Sequence, residues 1–175
     1  NRRAVAELVV SLSIAMLRKL PEITAEVREG QWRQIMGRQL SSCTVGIIGC
    51  GYVGKLLGRL LLPFGCRLVA HDTLDFPDYY GETGVEAMAL EELLKQSDVV
   101  SLHLPLDPST TNMLNVERLS LMRQGAFLVN IARGGLVDEV ALKKMLLSGH
   151  LAGAAFDVFV DEPPHDQELL DLPTF

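Results

Sequence analysis

An α/β fold, with a doubly wound parallel sheet and an extra N-terminal helix, is predicted by three features of the sequence. The first is a β-branched apolar run, Thr44-Val45-Gly46-Ile47-Ile48, that leads directly into Gly49-Cys50-Gly51-Tyr52-Val53-Gly54 and then an apolar helical segment. The second is a strand pattern, Cys66 to His71, ending on Asp72. That acid follows the glycines at close to the roughly 20-residue spacing of a nucleotide-binding βαβ unit. The third is a steady alternation of strand-like and helix-like segments over the rest of the chain, which argues for parallel strands joined by crossovers.

From Ala4 to Leu20, Val5, Leu8, Val9, Leu12, Ile14, Ala15, Met16, Leu17 and Leu20 form an apolar helical face wider than one sheet-facing stripe. Such a face predicts packing against the sheet or against a second subunit. Pro21 is expected to end this helix, a short helix is expected over 21–29, and Trp32 to Ser42 reads as a polar connector.

In the glycine turn, Gly49 permits the tight bend and Gly51 lets a pyrophosphate approach the backbone. Gly54 lets the helix from about Tyr52 to Leu62 pack closely on the strand. With Tyr52 and Val53 in its first turn, that helix offers unpaired N–H groups and its dipole to the phosphates. Asp72 is placed to accept hydrogen bonds from the adenosine ribose. This favours NAD over NADP, because Thr73, Leu74 and Asp75 supply no arginine for a 2′-phosphate.

Further along, Thr73 to Gly84 reads as a loop, Val85 to Met88 as a short strand and Leu90 to Gln96 as a helix. Val99 to Leu104 is a strand closed by Pro105. Asn115 is a suitable N-cap for a helix through about Met122, and Gly125 precedes a strand over Ala126 to Asn130. After the turn Arg133-Gly134-Gly135, Asp138 caps a helix over Glu139 to Ser148, with Gly149 at its C′ position. Ala152 to Val158 is the last strand. Residues 1–40 are thus a helix and connector for packing or dimerisation, and 41–175 a dinucleotide-binding domain.

With 175 residues, 48% of them hydrophobic, the chain can bury a full core. The net charge of −6 argues against a nucleic-acid partner. Leu8 to Leu17 is too short to span a bilayer, no secretory signal is visible, and the missing initial Met reads as a fragment or a processed product. The three cysteines are odd in number and lack metal-ligand spacing, which predicts a reducing, cytoplasmic setting and no metal. Cys50, inside the turn, reads as a tolerated small side chain rather than a thiolate.

Ligands of such sheets bind beyond the carboxyl ends of the strands. There Arg133, on a glycine turn, can hold a substrate carboxylate by a bidentate ion pair. Asp157 can bond a nicotinamide carboxamide and Glu162 can orient a histidine.

The run Val129-Asn130-Ile131-Ala132-Arg133-Gly134-Gly135-Leu136-Val137-Asp138-Glu139 resembles the D-isomer-specific 2-hydroxyacid dehydrogenases. So do Gly153-Ala154-Ala155-Phe156-Asp157-Val158-Phe159 and Glu162-Pro163. His103-Leu104-Pro105-Leu106 with Thr110 and Thr111, and Val5-Ala6-Glu7, extend the match over nearly the whole chain. The resemblance implies a Rossmann domain that binds NAD in an enzyme moving a hydride between nicotinamide and C2 of a D-2-hydroxy acid, 3-phosphoglycerate first among candidates. It implies that Arg133 holds the substrate carboxylate and that Glu162 pairs with a catalytic histidine. His103, Pro105, Thr111, Ile131 and Asp157 would lie along the cofactor, His103 as a wall rather than an acid. The catalytic histidine is expected beyond Phe175 and the substrate domain outside the chain, so the chain alone should bind NAD without turnover. A homodimer through the first helix is also implied. The competing reading within the family is a dinucleotide-sensing module, as in transcriptional corepressors.

Overall fold

The computed structural model describes residues 1–175. One sheet of six strands contains β1 (Thr44–Ile48), β2 (Arg67–His71), β3 (Glu86–Ala87), β4 (Val99–Leu102), β5 (Ala126–Asn130) and β6 (Leu151–Phe156). Their order is β3-β2-β1-β4-β5-β6 and every neighbouring pair is parallel. The chain winds outward in one direction from β1 and in the other from β4. A crevice therefore opens beyond the carboxyl ends of these two strands, where such sheets take ligands.

Both faces of the sheet are covered. α1 (Arg2–Leu17) and α3 (Tyr52–Leu61) lie on one face, with α2 (Leu20–Arg28) following α1 and α4 (Pro77–Thr83) following β2. α5 (Leu90–Gln96), α6 (Val116–Leu121), α7 (Glu139–Leu147) and the short α8 (Gln167–Leu170) lie on the other. All five β5 residues are buried, yet they still alternate: Phe127 and Val129 join the α1–α3 core, Ala126 and Leu128 the α5–α7 core. Asn115 and Asp138 cap α6 and α7 as expected, each accepting the N–H three residues on at 3.0 Å.

The differences from expectation have local causes. α1 stops at Leu17, because Lys19 turns left-handed at φ 55°, and Pro21 falls in the first turn of α2, where its missing N–H costs nothing. Part of the stretch expected as a loop folds as α4, which Pro77 starts and Tyr79, 4% exposed, anchors in the core. β4 and β6 end at Leu102 and Phe156, two residues short of expectation, since the chain turns there into the crevice.

α1 buries Ala6, Val9, Ser13 and Leu17 against α3 and β5, and the Ser13 hydroxyl returns to the Val9 carbonyl at 2.7 Å. Its other side leaves Leu8 37% exposed and Leu12, Ala15 and Met16 half-buried. In the connector Trp32 is 91% exposed, but the segment is pinned further on: the Arg38 N–H donates to the Leu17 carbonyl at 2.8 Å. The Arg38 guanidinium reaches Asp98, whose side chain is 6% exposed, at 2.9 Å. Asp98 also accepts from Arg123 at 3.0 Å and from the Thr44 N–H at 2.8 Å. This one carboxylate ties the connector, β1 and the start of β5 together at the amino ends of the strands.

Candidate functional site

The crevice is built first by the glycine turn. Gly49 has φ 98°, and a Cβ there would lie 2.6 Å from the His103 carbonyl oxygen, so the turn sits directly against the end of β4. At Gly54 a Cβ would collide with the Gly49 carbonyl, which is how α3 packs so closely on its strand. At Gly51 a Cβ meets nothing within 4 Å: the space beside this glycine is open. α3 starts at that glycine with no side-chain cap, which leaves its first N–H groups without a side-chain partner. A backbone cradle that is clear of side chains and ends on an uncapped helix fits the pyrophosphate of a dinucleotide.

Asp72 follows β2 and faces the glycine turn. Its Oδ2 accepts the Cys50 N–H at 2.6 Å and its Oδ1 the Leu74 N–H at 2.9 Å. Beyond the predicted ribose role, this carboxylate braces the glycine turn, and each oxygen keeps a lone pair for a ribose hydroxyl. Burial pushes the Cys50 thiol up to about 11, which supports its reading as a packed side chain rather than a thiolate.

At the other end, a cleft of about 290 Å³ is lined by Val5, Val53, His103, Leu104, Pro105, Ile131, Ala132 and Arg133. Four of the predicted residues besides Arg133 meet here: Val53, His103, Pro105 and Ile131. Burial lowers His103 to about 4, and it shares a 2.9 Å hydrogen bond with Ser101, so it is a neutral wall at pH 7. Val5, carried by α1, completes the lining; only its place in a family motif hinted at that. Thr111 is exposed outside the lining and donates to the Asp107 carbonyl at 2.9 Å, while the buried Thr110 staples the loop by donating to the Pro105 carbonyl at 2.8 Å.

Arg133 is exposed on the lip of this cleft and donates to the Ala132 carbonyl at 2.6 Å. What presents it is Asn130, fully buried at the end of β5. The Asn130 amide donates to the Arg133 carbonyl at 2.9 Å and accepts the Ala132 N–H at 3.2 Å, while its main-chain carbonyl takes the Asp157 N–H at 3.1 Å. Sequence reasoning missed this bracket. Its signal was a polar residue closing a buried strand, which must find partners.

Gly134 brings the second loop in: the Phe159 carbonyl lies where a Cβ would stand. The Phe159 N–H in turn donates to the exposed Glu162 carboxylate at 3.2 Å. The loops that carry Arg133, Asp157 and Glu162 are therefore packed backbone to backbone. Phe156, Phe159 and Phe175 form an aromatic cluster with centroids 5.4–6.2 Å apart behind them.

A family model described as D-isomer specific 2-hydroxyacid dehydrogenase, NAD binding domain, matches residues 10–175. The chain is 38% identical over 173 residues to D-3-phosphoglycerate dehydrogenase of Sus scrofa, covering 98% of this chain and 32% of that protein. It is 36% identical to the Mycobacterium tuberculosis protein of the same name, again over 98% of this chain and 33% of that one. The chain thus spans about a third of the length of these relatives. Among solved structures, D-lactate dehydrogenase from Aquifex aeolicus, complexed with NAD and lactic acid, superposes with a TM-score of 0.90 at 33% identity, covering 97% of this chain and 55% of that one. A glyoxylate reductase superposes with a TM-score of 0.90 at 34% identity, over 99% and 53%. The chain belongs to the D-isomer specific 2-hydroxyacid dehydrogenase family and is its NAD-binding domain.

Proposed function

We propose that this chain is the cofactor half of a cytoplasmic NAD-dependent dehydrogenase acting at C2 of a D-2-hydroxy acid, with 3-phosphoglycerate as the substrate. The observation that carries the reading is Arg133, held on the lip of the cleft by Asn130, beside the loop that bears Glu162. A guanidinium fork so placed can take a carboxylate at two points. The choice of 3-phosphoglycerate rests on the activity for which the relatives are named. The three free thiols support a reducing compartment, and no helix is long and apolar enough to cross a membrane.

The chain's residues divide the work. The first N–H groups of α3 hold the pyrophosphate, and Asp72 accepts from the adenosine ribose. His103, Pro105 and Ile131 wall the nicotinamide pocket, and the carboxamide is assigned to Asp157. Arg133 fixes the substrate carboxylate. Bound NAD supplies the hydride acceptor. Glu162 is exposed, with one oxygen on the Phe159 N–H, and is left to orient a proton-transferring histidine from outside the chain.

Calorimetry tests this. NAD(H) should bind clearly tighter than NADP(H), and Asp72→Ala should narrow the gap by about 1–2 kcal/mol. The same sample should oxidise no 3-phosphoglycerate, because a general acid–base group worth about 10²–10⁴ in rate is not among these residues. Equal affinity for the two cofactors would sink the NAD assignment, and robust turnover would overturn the division of the catalytic site between this chain and a second domain.

The same reading includes a homodimer through α1. Its half-buried Leu12, Ala15 and Met16 border an apolar groove shared with Phe127, Ala152 and Phe175, and burying large aliphatic side chains is worth roughly 1.5–3 kcal/mol each. Light scattering should give a dimer that Leu12→Glu with Met16→Glu splits. A monomer at tens of micromolar, unchanged by the two substitutions, removes the interface.

A further inference from the structure

Four cationic side chains are carried by α3, the cleft and the start of α1, and two of them, Lys55 and Arg59, line a groove against α4 rather than the cleft. The Lys55 ammonium sits 3.3 Å from the Phe76 ring centroid. Arg59 pairs with Glu82 at 2.9 Å. Arg133 belongs to the substrate end, as argued above. The fourth, Arg2, comes from a different element, the first turn of α1. Its guanidinium carbon lies 3.9 Å from the centroid of Tyr52, the first residue of α3. Neighbouring Arg3 pairs with Glu7 at 2.7 Å, but Arg2 has no carboxylate within ion-pair distance.

The placement is not incidental to the site. Val5, one turn along α1 from Arg2, lines the cleft together with Val53, the residue after Tyr52. α1 thus crosses the first turn of α3 at the mouth of the crevice, beside the open space at Gly51. Tyr52 is 75% exposed, and its ring gives a long, flexible arginine a platform there without neutralising its charge. The chain carries a net charge of −6, and Asp72 brings a carboxylate to the same turn. A cation at this place adds to the attraction of the α3 N–H groups and dipole for a phosphate anion.

We propose that Arg2, held on Tyr52, is a phosphate-binding residue of the site, with the pyrophosphate of the dinucleotide as its ligand. The inference rests on the NAD reading above. Its guanidinium can bridge two phosphate oxygens while its other face stays on the ring. The phosphate of a phosphorylated hydroxy acid offers the same chemistry from the substrate side.

The test is calorimetry on the 175-residue chain, with thermal unfolding to confirm that each variant is folded. Arg2→Gln should weaken NAD and ADP-ribose about tenfold, leave adenosine unchanged and flatten the dependence of NAD affinity on salt. Arg2→Lys should recover part of the loss. Tyr52→Leu should lose affinity as Arg2→Gln does, and Tyr52→Phe should not. A loss confined to 3-phosphoglycerate on the NAD-loaded chain, with ADP-ribose unchanged, supports the same guanidinium with the substrate phosphate as its ligand. Unchanged affinity for ADP-ribose and for 3-phosphoglycerate in Arg2→Gln overturns the inference while the NAD reading stands. Failure of the unsubstituted chain to bind NAD overturns both.

Discussion

Replacing Gly54 with alanine is expected to abolish dinucleotide binding and destabilise the fold together, whereas Gly51→Ala is expected to cost binding alone. At Gly54 the new Cβ meets the Gly49 carbonyl, a backbone atom that cannot rotate away, with the Ile47 methyl 3.2 Å off on the other side. α3 must move off β1, and over-packing of this kind costs about 1–3 kcal/mol, occasionally more. The N–H groups that face the phosphates move with it. At Gly51 the Cβ meets nothing in the free protein, so unfolding should not change. It instead enters the space the pyrophosphate needs. Affinity for NAD should fall on the order of 100-fold, about 2.8 kcal/mol at 1.4 kcal/mol per tenfold step. Thermal unfolding and calorimetry on both variants separate the effects. Equal losses of melting temperature would contradict the geometry.

The second large effect is expected at the opposite, amino ends of the strands. Asp98→Ala leaves Arg38 and Arg123 without their shared acceptor and the Thr44 N–H without its partner. Arg38 and Arg123 keep about half of their surface in water, so the loss is that of a buried acceptor with charged and backbone donors, about 1–3 kcal/mol. In a chain of this size that lowers the melting temperature by roughly 2–12 °C. Burial alone would raise the Asp98 carboxyl, but the Thr44 N–H and the Arg38 and Arg123 guanidinium groups outweigh it and hold it below the usual carboxylate range. The sign follows: the carboxylate's stabilisation is fully present above its unfolded value, near 3.9, and is lost as pH falls through the lower folded value. Denaturant unfolding between pH 7 and pH 2 should show that acid loss in the parent chain and a shallower one in Asp98→Ala. Identical pH profiles would exclude Asp98 as its source.

Most of the sheet was legible because its strands are short apolar runs bounded by glycine, proline and capping residues. β1, β5 and α5 lie where their patterns place them, to the residue. The glycine turn and Asp72 were legible because their chemistry is local and fixed in spacing. α4 was not, since Asp-Pro-Tyr-Gly composition favours turns and only tertiary packing overrides it. A Cβ at Gly58 would strike the Tyr79 hydroxyl, so that glycine makes room for the aromatic ring that holds α4 in place. The left-handed Lys19 was equally hidden, because nothing in its own residue type demands φ above zero. At the site, the residue types were readable and their bracing was not. Asn130 and the second role of Asp72 depend on partners far away in sequence.

The packing of α1 has a further consequence for how the chain is made. The β5 residues in its core cluster, Phe127 and Val129, with Ile131 just beyond the strand, come more than a hundred residues after α1. At about 5–20 residues per second, the ribosome leaves Val9 and Leu17 without those partners for several seconds. During that interval the apolar face of α1 is open to other apolar surfaces, and a chaperone that covers it until β5 emerges would protect the nascent chain.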